Sequence, residues 1–128
     1  MNQKSIQIGD TVTAIYKTGK YIGEVTNIGA TTYVVKVLGV LKHPMQGDLH
    51  NPKQVDVAFF HTRRALAYRE QTNVPQNMVK LYEEEIPDYT HSLRTAVQSL
   101  KLQLQENTNP WNQKSLEILT ELEQDYFK

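Results

Sequence analysis

The chain has no cysteine among its 128 residues. That excludes disulfides, thiolate metal ligands, a cysteine nucleophile and a thioether-linked lipid within this sequence, and it fits a reducing compartment. Long apolar runs are missing too. No segment approaches the roughly 18 residues of a membrane span, and the amino terminus MNQKSIQIGD lacks the apolar run of a signal peptide, so the expected location is the cytoplasm. Neither sign of charge is in surplus, with 14 basic and 14 acidic residues, and the total gives no reason to expect nucleic acid or an anionic membrane as partner. G-x-S-x-G, G-x-G-x-x-G and G-x-x-x-x-G-K are all absent. Neither a nucleophile elbow nor a phosphate loop is therefore expected, and no cofactor.

What is present is unevenly distributed. Up to Pro75 there are nine basic and five acidic residues, and from Gln76 onward five basic and nine acidic. Two parts of opposite sign attract one another, although acids on a solvated helix face give the same count. The length suits one compact domain, or a small domain with a helical appendage.

From Gly9 to Leu41 the pattern is strand, turn, strand, turn, strand. Val12, Ala14 and Tyr16 alternate with Thr11, Thr13 and Ile15. KTGK (residues 17–20) supplies a turn in which Gly19 can take a positive φ. YIGEVTNI (21–28) is a second strand whose Gly23 permits a bulge or sharp coiling. Gly29 and Ala30 turn the chain into the longest strand, Thr31 to Leu41, a β-branched and leucine run expected at the centre of the sheet. Val55–Phe59 and Arg64–Glu70 are candidates for two closing strands. The fold class is thus α+β: an SH3-like antiparallel β-barrel over residues 1–74, followed by a helical extension over 75–128 packed on it as one compact unit.

The extension reads as about three helices, each with a proline where a first helical residue fits: Pro75, Pro87 and Pro110. The first, Pro75–Glu85, puts Met78, Val79 and Tyr82 on one side. In the second, Asp88–Glu106, Tyr89, Leu93, Ala96, Val97, Leu100 and Leu104 form an apolar stripe. Asn109 caps the third, whose stripe is Trp111, Leu116, Leu119, Leu122 and Tyr126. Two stripes joined by a tight loop predict a helical hairpin packed on itself, on the barrel or on a second copy, which allows a homodimer through residues 88–126.

Few residues suggest chemistry. His43, His50 and His61, with Asp48, match no zinc spacing and no two of them are i and i+4 on a helix, so no metal site is expected. Such loop histidines more often bond backbone carbonyls or face solvent. The run Glu83–Glu85 reads as a solvated face. Binding has better material: FFHTRRALAYR (59–69) interleaves two phenylalanines and a tyrosine with three arginines and a histidine, able to hold an acidic or phosphorylated partner. It reads equally as core aromatics beside arginines that pair with the tail's acids. Tyr16, Tyr21 and Tyr33 lie where an aromatic cage for a methylated cation would sit, or simply cover a small core with their hydroxyls wet.

The words GDTVTAIYKTGKYIGEV, YVVKVLGVLKHPMQGDLHNP, FFHTRRALAYREQTNVP and EEIPDY resemble the kinase-associated protein B family of spore-forming bacteria. Gly9 to Tyr89 carries the specific words; the last two helices match only in kind. The resemblance implies an SH3-like barrel with a helical carboxyl-terminal extension. It also implies a non-enzymatic accessory protein that binds and activates a membrane sensor histidine kinase in the phosphorelay initiating sporulation. Members have been called lipoproteins; with neither a signal peptide nor a cysteine here, membrane association is expected only indirectly, at the inner face, through the kinase. The family supplies no catalytic residues. It places a partner-contact surface in His43–Pro52 and Phe59–Arg69, at His43, Gln46, Asp48, His50, Phe60, His61, Arg63, Arg64 and Arg69. The alternative, from another class, is a nucleic-acid-binding SH3-like barrel using the basic aromatic segment 59–69.

Overall fold

A computed structural model describes residues 5–47 and 62–128. In β1 (Thr11–Tyr16) the alternation buries Val12 and Ala14 on one face. The strand turns through Lys17 and Thr18 into β2 (Gly19–Ile28), pairing Tyr16 with Gly19. The left-handed residue of this turn is Lys17, at φ 55°, and not Gly19 as KTGK suggests. Gly19 is needed for space instead: a Cβ there would lie 2.6 Å from the Tyr21 hydroxyl. Gly23 behaves as expected. The β2–β3 register shifts beside it, and a Cβ would sit 2.5 Å from Val35 Cγ1 and 2.6 Å from the Lys36 carbonyl oxygen.

β3 (Thr32–Lys42) is the longest strand and pairs with β2 on one edge and β4 (Gln71–Pro75) on the other. The closing strands differ from the sequence reading. Val55–Phe59 lies outside the described residues. Arg64–Glu70 is irregular, ending in a turn at Tyr68–Arg69: side chains hold its backbone at Ala65 and Leu66, and it meets β3 at Val37 through the backbones of Arg69 and Glu70. β4 runs across the division set between residues 74 and 75. In place of a helix over 75–85, a 3-10 turn (Gln76–Met78) leads into β5 (Val79–Leu81), which pairs with β1. The spacing of Met78, Val79 and Tyr82 is helical, but the free edge of β1 offers this short, weakly amphipathic segment a ladder it cannot match alone.

The strand order is β4-β3-β2-β1-β5. Laid flat, β4 and β5 would stand about 19 Å apart at ~4.8 Å per strand, whereas a three-residue 3-10 turn spans about 6 Å. The antiparallel sheet therefore curls until its edges approach, and β1 touches β4 as well as β5, although no ladder joins β4 to β5. Val12, Ala14, Val25, Val35, Val74 and Val79 fill the concave side.

A second core forms where two helices, not three, cover the sheet. α1 (Tyr89–Gln105) is capped by Asp88, which accepts from the His91 amide, and α2 (Pro110–Tyr126) by Asn109, which accepts from Asn112. Only Pro110 takes the first helical position; Pro87 precedes a cap and Pro75 ends a strand. Leu93, Ala96, Val97 and Leu100 pack with Leu119 against Tyr21, Val37 and Val40. Gly39 lets α1 come close, since its Cβ would lie 3.4 Å from Pro87 Cγ and 3.5 Å from Ser92 Oγ. The helices are tied by Lys101–Glu123 at 2.9 Å and by Asn112, whose side-chain amide donates to the Leu104 and Asn107 carbonyls. Leu116 is only half-buried, while Ser115 and Ile118, off the expected stripe, are buried. Most of both apolar stripes is thus covered by the sheet and the facing helix.

Candidate functional site

Residues 63–66 form an extended segment with no strand paired to it among the described residues, yet most of its backbone groups are paired. Gln46, in the loop after β3, accepts from the Arg63 amide at 2.8 Å and donates to the Arg63 carbonyl at 2.9 Å and the Pro44 carbonyl at 3.1 Å. The Tyr126 hydroxyl accepts from the Ala65 amide at 2.9 Å. The Leu66 amide donates to the Tyr21 hydroxyl at 3.3 Å, and the Tyr89 hydroxyl donates to the Leu66 carbonyl at 2.5 Å. Four side chains from β2, a loop and both helices therefore clamp one segment. Because buried backbone polar groups require partners, these side chains replace the ladder of a strand.

His43 completes the clamp. It is wholly buried, its Nδ1 lies 2.8 Å from the Pro44 carbonyl and its Nε2 lies 2.9 Å from the Tyr126 hydroxyl. A carbonyl only accepts, so Nδ1 carries the proton and Tyr126 donates to Nε2. Burial lowers the His43 pKa to about 4, outweighing the Pro44 hydrogen bond that raises it. Burial likewise pushes Tyr21 and Tyr89 up to about 12 and raises Tyr126. At neutral pH the clamp is uncharged throughout.

The residues expected at a contact surface separate into three groups. His43 and Gln46 are inside, 0% and 2% exposed; this corrects their reading as contact residues, since their polar atoms are spent holding the segment. His43 does bond a backbone carbonyl, as expected of a loop histidine. Arg63, Arg64 and Arg69 lie together on the clamped segment and its turn. Asp48, His50, Phe60 and His61 lie outside the described residues, as do the further members of the histidine set weighed for a metal. Among the described residues no group of three His, Asp or Glu side chains is placed to hold a metal ion.

The exposed side of the segment carries charge and aromatic surface. Arg64 pairs with Asp125 at 2.7 Å and lies 5.0 Å over the Tyr126 ring. Hydrogen bonds from Lys128 and then Arg64 hold the Asp125 carboxyl below its ordinary range. Of the ion pairs among the described residues, Arg64–Asp125 joins the basic part of the chain to the acidic one. Tyr68 is 55% exposed, its ring 5.6 Å from that of Tyr89. Arg69, at φ 70°, donates its amide to the Val37 carbonyl and leaves its side chain outside. Two clefts flank the segment, one of about 310 Å³ beside Lys17, Tyr21 and Arg63, the other of about 510 Å³ between Tyr68 and the helices. The three tyrosines weighed as a cage do not converge: Tyr16 and Tyr21 share the first cleft, while Tyr33 packs against the concave core of the sheet.

The clamp was not anticipated from the sequence. Its signal was present in Tyr89 and Tyr126, which head and end apolar helical stripes: a hydroxyl buried in such a stripe needs a partner. Nothing local pointed to Gln46.

The class this architecture defines is an α+β protein with a five-stranded antiparallel sheet carrying a helical hairpin. The chain belongs to the kinase-associated protein B family, whose profile matches residues 16–127. It is 53% identical over 123 residues, 96% of either chain, to the kinase-associated lipoprotein B of Bacillus subtilis strain 168. The crystal structure of kinase-associated protein B from Bacillus cereus, 51% identical, matches with a TM-score of 0.81 over 95% of this chain and 98% of that one.

Proposed function

We propose that this protein is a non-enzymatic accessory factor that binds and activates a membrane sensor histidine kinase in the phosphorelay initiating sporulation. The kinase association in its relatives' names supports the partner class. The observation that carries a binding role is the clamped segment, a rigidly held backbone presenting Arg64, Tyr68 and Arg69 outward. A preorganised surface binds at lower entropic cost than a loop ordered on contact. In this reading His43 and Gln46 act from inside, as supports, and the curled sheet is an SH3-like barrel that with the hairpin forms one compact unit.

No helix among the described residues is long and apolar enough to cross a membrane, and the 128 residues include no cysteine to carry a lipid. In this proposal membrane contact comes through the kinase. The nucleic-acid reading is favoured by no specific observation, the basic and acidic residues balancing at 14 each. Capture of membrane kinases by the tagged protein, compared with an Arg64→Ala, Arg69→Ala variant, tests the proposal. Reduced capture by the folded variant is expected. Undiminished capture would remove this surface, and absence of any histidine kinase from the wild-type eluate would remove the role.

A further inference from the structure

The cleft between the β1–β2 turn and the clamped segment has donors with no assigned work. Lys17 projects from the tip of the turn, its ammonium 5.4 Å over the Tyr16 ring. Arg63 contributes a guanidinium whose Nε is buried with no hydrogen-bond partner among the described residues. The Tyr21 hydroxyl accepts from Leu66, and its own proton goes to no acceptor among the described residues. All three line one space of about 310 Å³. Glu70, the carboxylate in the lining, accepts the Ala67 amide at 2.8 Å through Oε1. Arg64, also at the rim, is engaged by Asp125 on the other side.

A buried guanidinium N–H left unpaired is costly, and it points to something absent that would accept from it. Lys17, Tyr21 and Arg63 come from three separate elements and approach from the turn, the sheet and the segment. A planar carboxylate presents two oxygens; a phosphoryl group presents three, spread tetrahedrally, and matches donors arriving from several directions. Burial keeps Tyr21 protonated well above neutral pH, so it stays a donor. The cleft is confined, unlike the extended basic stripe that follows a nucleic-acid backbone.

We propose, on the basis of the adaptor reading above, that this cleft receives a phosphoryl group carried on a side chain of the protein partner, with Lys17, Tyr21 and Arg63 as its donors. Titration of isotope-labelled protein with phenyl phosphate, followed by amide and side-chain chemical shifts, is the direct test. Shifts centred on Lys17, Tyr21 and Arg63 are expected, with affinity at least about tenfold weaker in a Lys17→Asn, Arg63→Gln variant, as the loss of charge-assisted hydrogen bonds dictates. Lys17→Asn suits the left-handed turn position and Arg63→Gln leaves the backbone clamp in place, so the variant keeps its fold, which an unchanged amide spectrum elsewhere verifies.

Equal affinity in the folded variant, shifts scattered over other basic residues, or tighter binding of a short RNA than of phenyl phosphate would each overturn the proposal. So would equal response to benzoate, which has the ring and a carboxylate. The same variant in kinase capture separates the two readings. Lost phenyl phosphate binding with undiminished capture removes the cleft as the partner's site and leaves the adaptor role standing. Phenyl phosphate binding by a wild-type protein that captures no kinase removes the adaptor role and with it the partner named here.

Discussion

The hydroxyl of Tyr126, on the last turn of α2, lies 2.9 Å from Nε2 of His43, just past the end of β3. The pair is 83 positions apart in the chain, and the same hydroxyl accepts the Ala65 amide. One oxygen thus joins the sheet's exit loop, the clamped segment and the helical hairpin.

This makes stability depend on pH in a definite direction. An unfolded histidine takes up a proton near pH 6.5, whereas His43 in the fold holds off until about pH 4. Between those values the unfolded chain binds more protons, so stability is complete above pH 6.5, falls as pH drops toward 4 and levels off below it. The loss from this group is about 3 kcal/mol. Urea unfolding at pH 7 and pH 5 should show the slope in the wild type and a shallower one in His43→Asn.

Tyr126→Phe removes one oxygen and orphans two groups, the Ala65 N–H and the His43 acceptor. A cost of about 1–3 kcal/mol is expected. Hydrogen exchange should quicken first at Ala65, and exchange there as slow as in the wild type would mean that the amide has found another partner.

Gln46→Leu keeps the approximate volume but strips both bonds from Arg63 and one from Pro44. We expect roughly 2–3 kcal/mol of destabilisation. Gln46→Glu should be worse at neutral pH, since a buried carboxylate cannot donate to the Arg63 carbonyl and carries an unpaired charge. Chemical denaturation of both variants ranks them directly.

Gly23→Ala and Gly9→Ala should separate two reasons for glycine. At Gly23 the new methyl meets backbone 2.6 Å away in a bulged, paired strand, and the cost should reach about 2–3 kcal/mol or more. At Gly9, φ 96°, nothing lies within 4 Å, so only conformational strain of about 1 kcal/mol applies. Comparable melting temperatures for the two variants would contradict this.

The meander and the two long helices were legible because their signals are local. Alternation marks β1, a long β-branched run marks β3, and stripes with Asp88 and Asn109 as caps mark α1 and α2. β4 and β5 were not legible. QTNVP and VKL are short and nearly patternless, and what makes them strands is the pairing of Val74 with Tyr33 and of Val79 with Ala14, far away in sequence. The alternation of Leu66 and Tyr68 misled for the opposite reason: it resembles a strand, but tyrosine hydroxyls and Gln46 occupy the backbone. At the candidate site the sequence drew attention to the basic segment, which lies beside two clefts. It also offered His43 and Gln46 as surface, because a polar side chain in a polar loop carries no mark of being the loop's own core.

The clamp also has a consequence for how the chain is made. Ala65 and the tyrosine that receives its amide are separated by 61 residues, so at 5–20 residues per second the ribosome delivers the second roughly 3–12 s after the first. Through that interval Gln46 and Tyr21 can hold Arg63 and Leu66 while the Ala65 amide stays solvated, and the surface is complete only when α2 docks. A translational pause within residues 66–125 would lengthen the time during which the nascent protein lacks its candidate binding face.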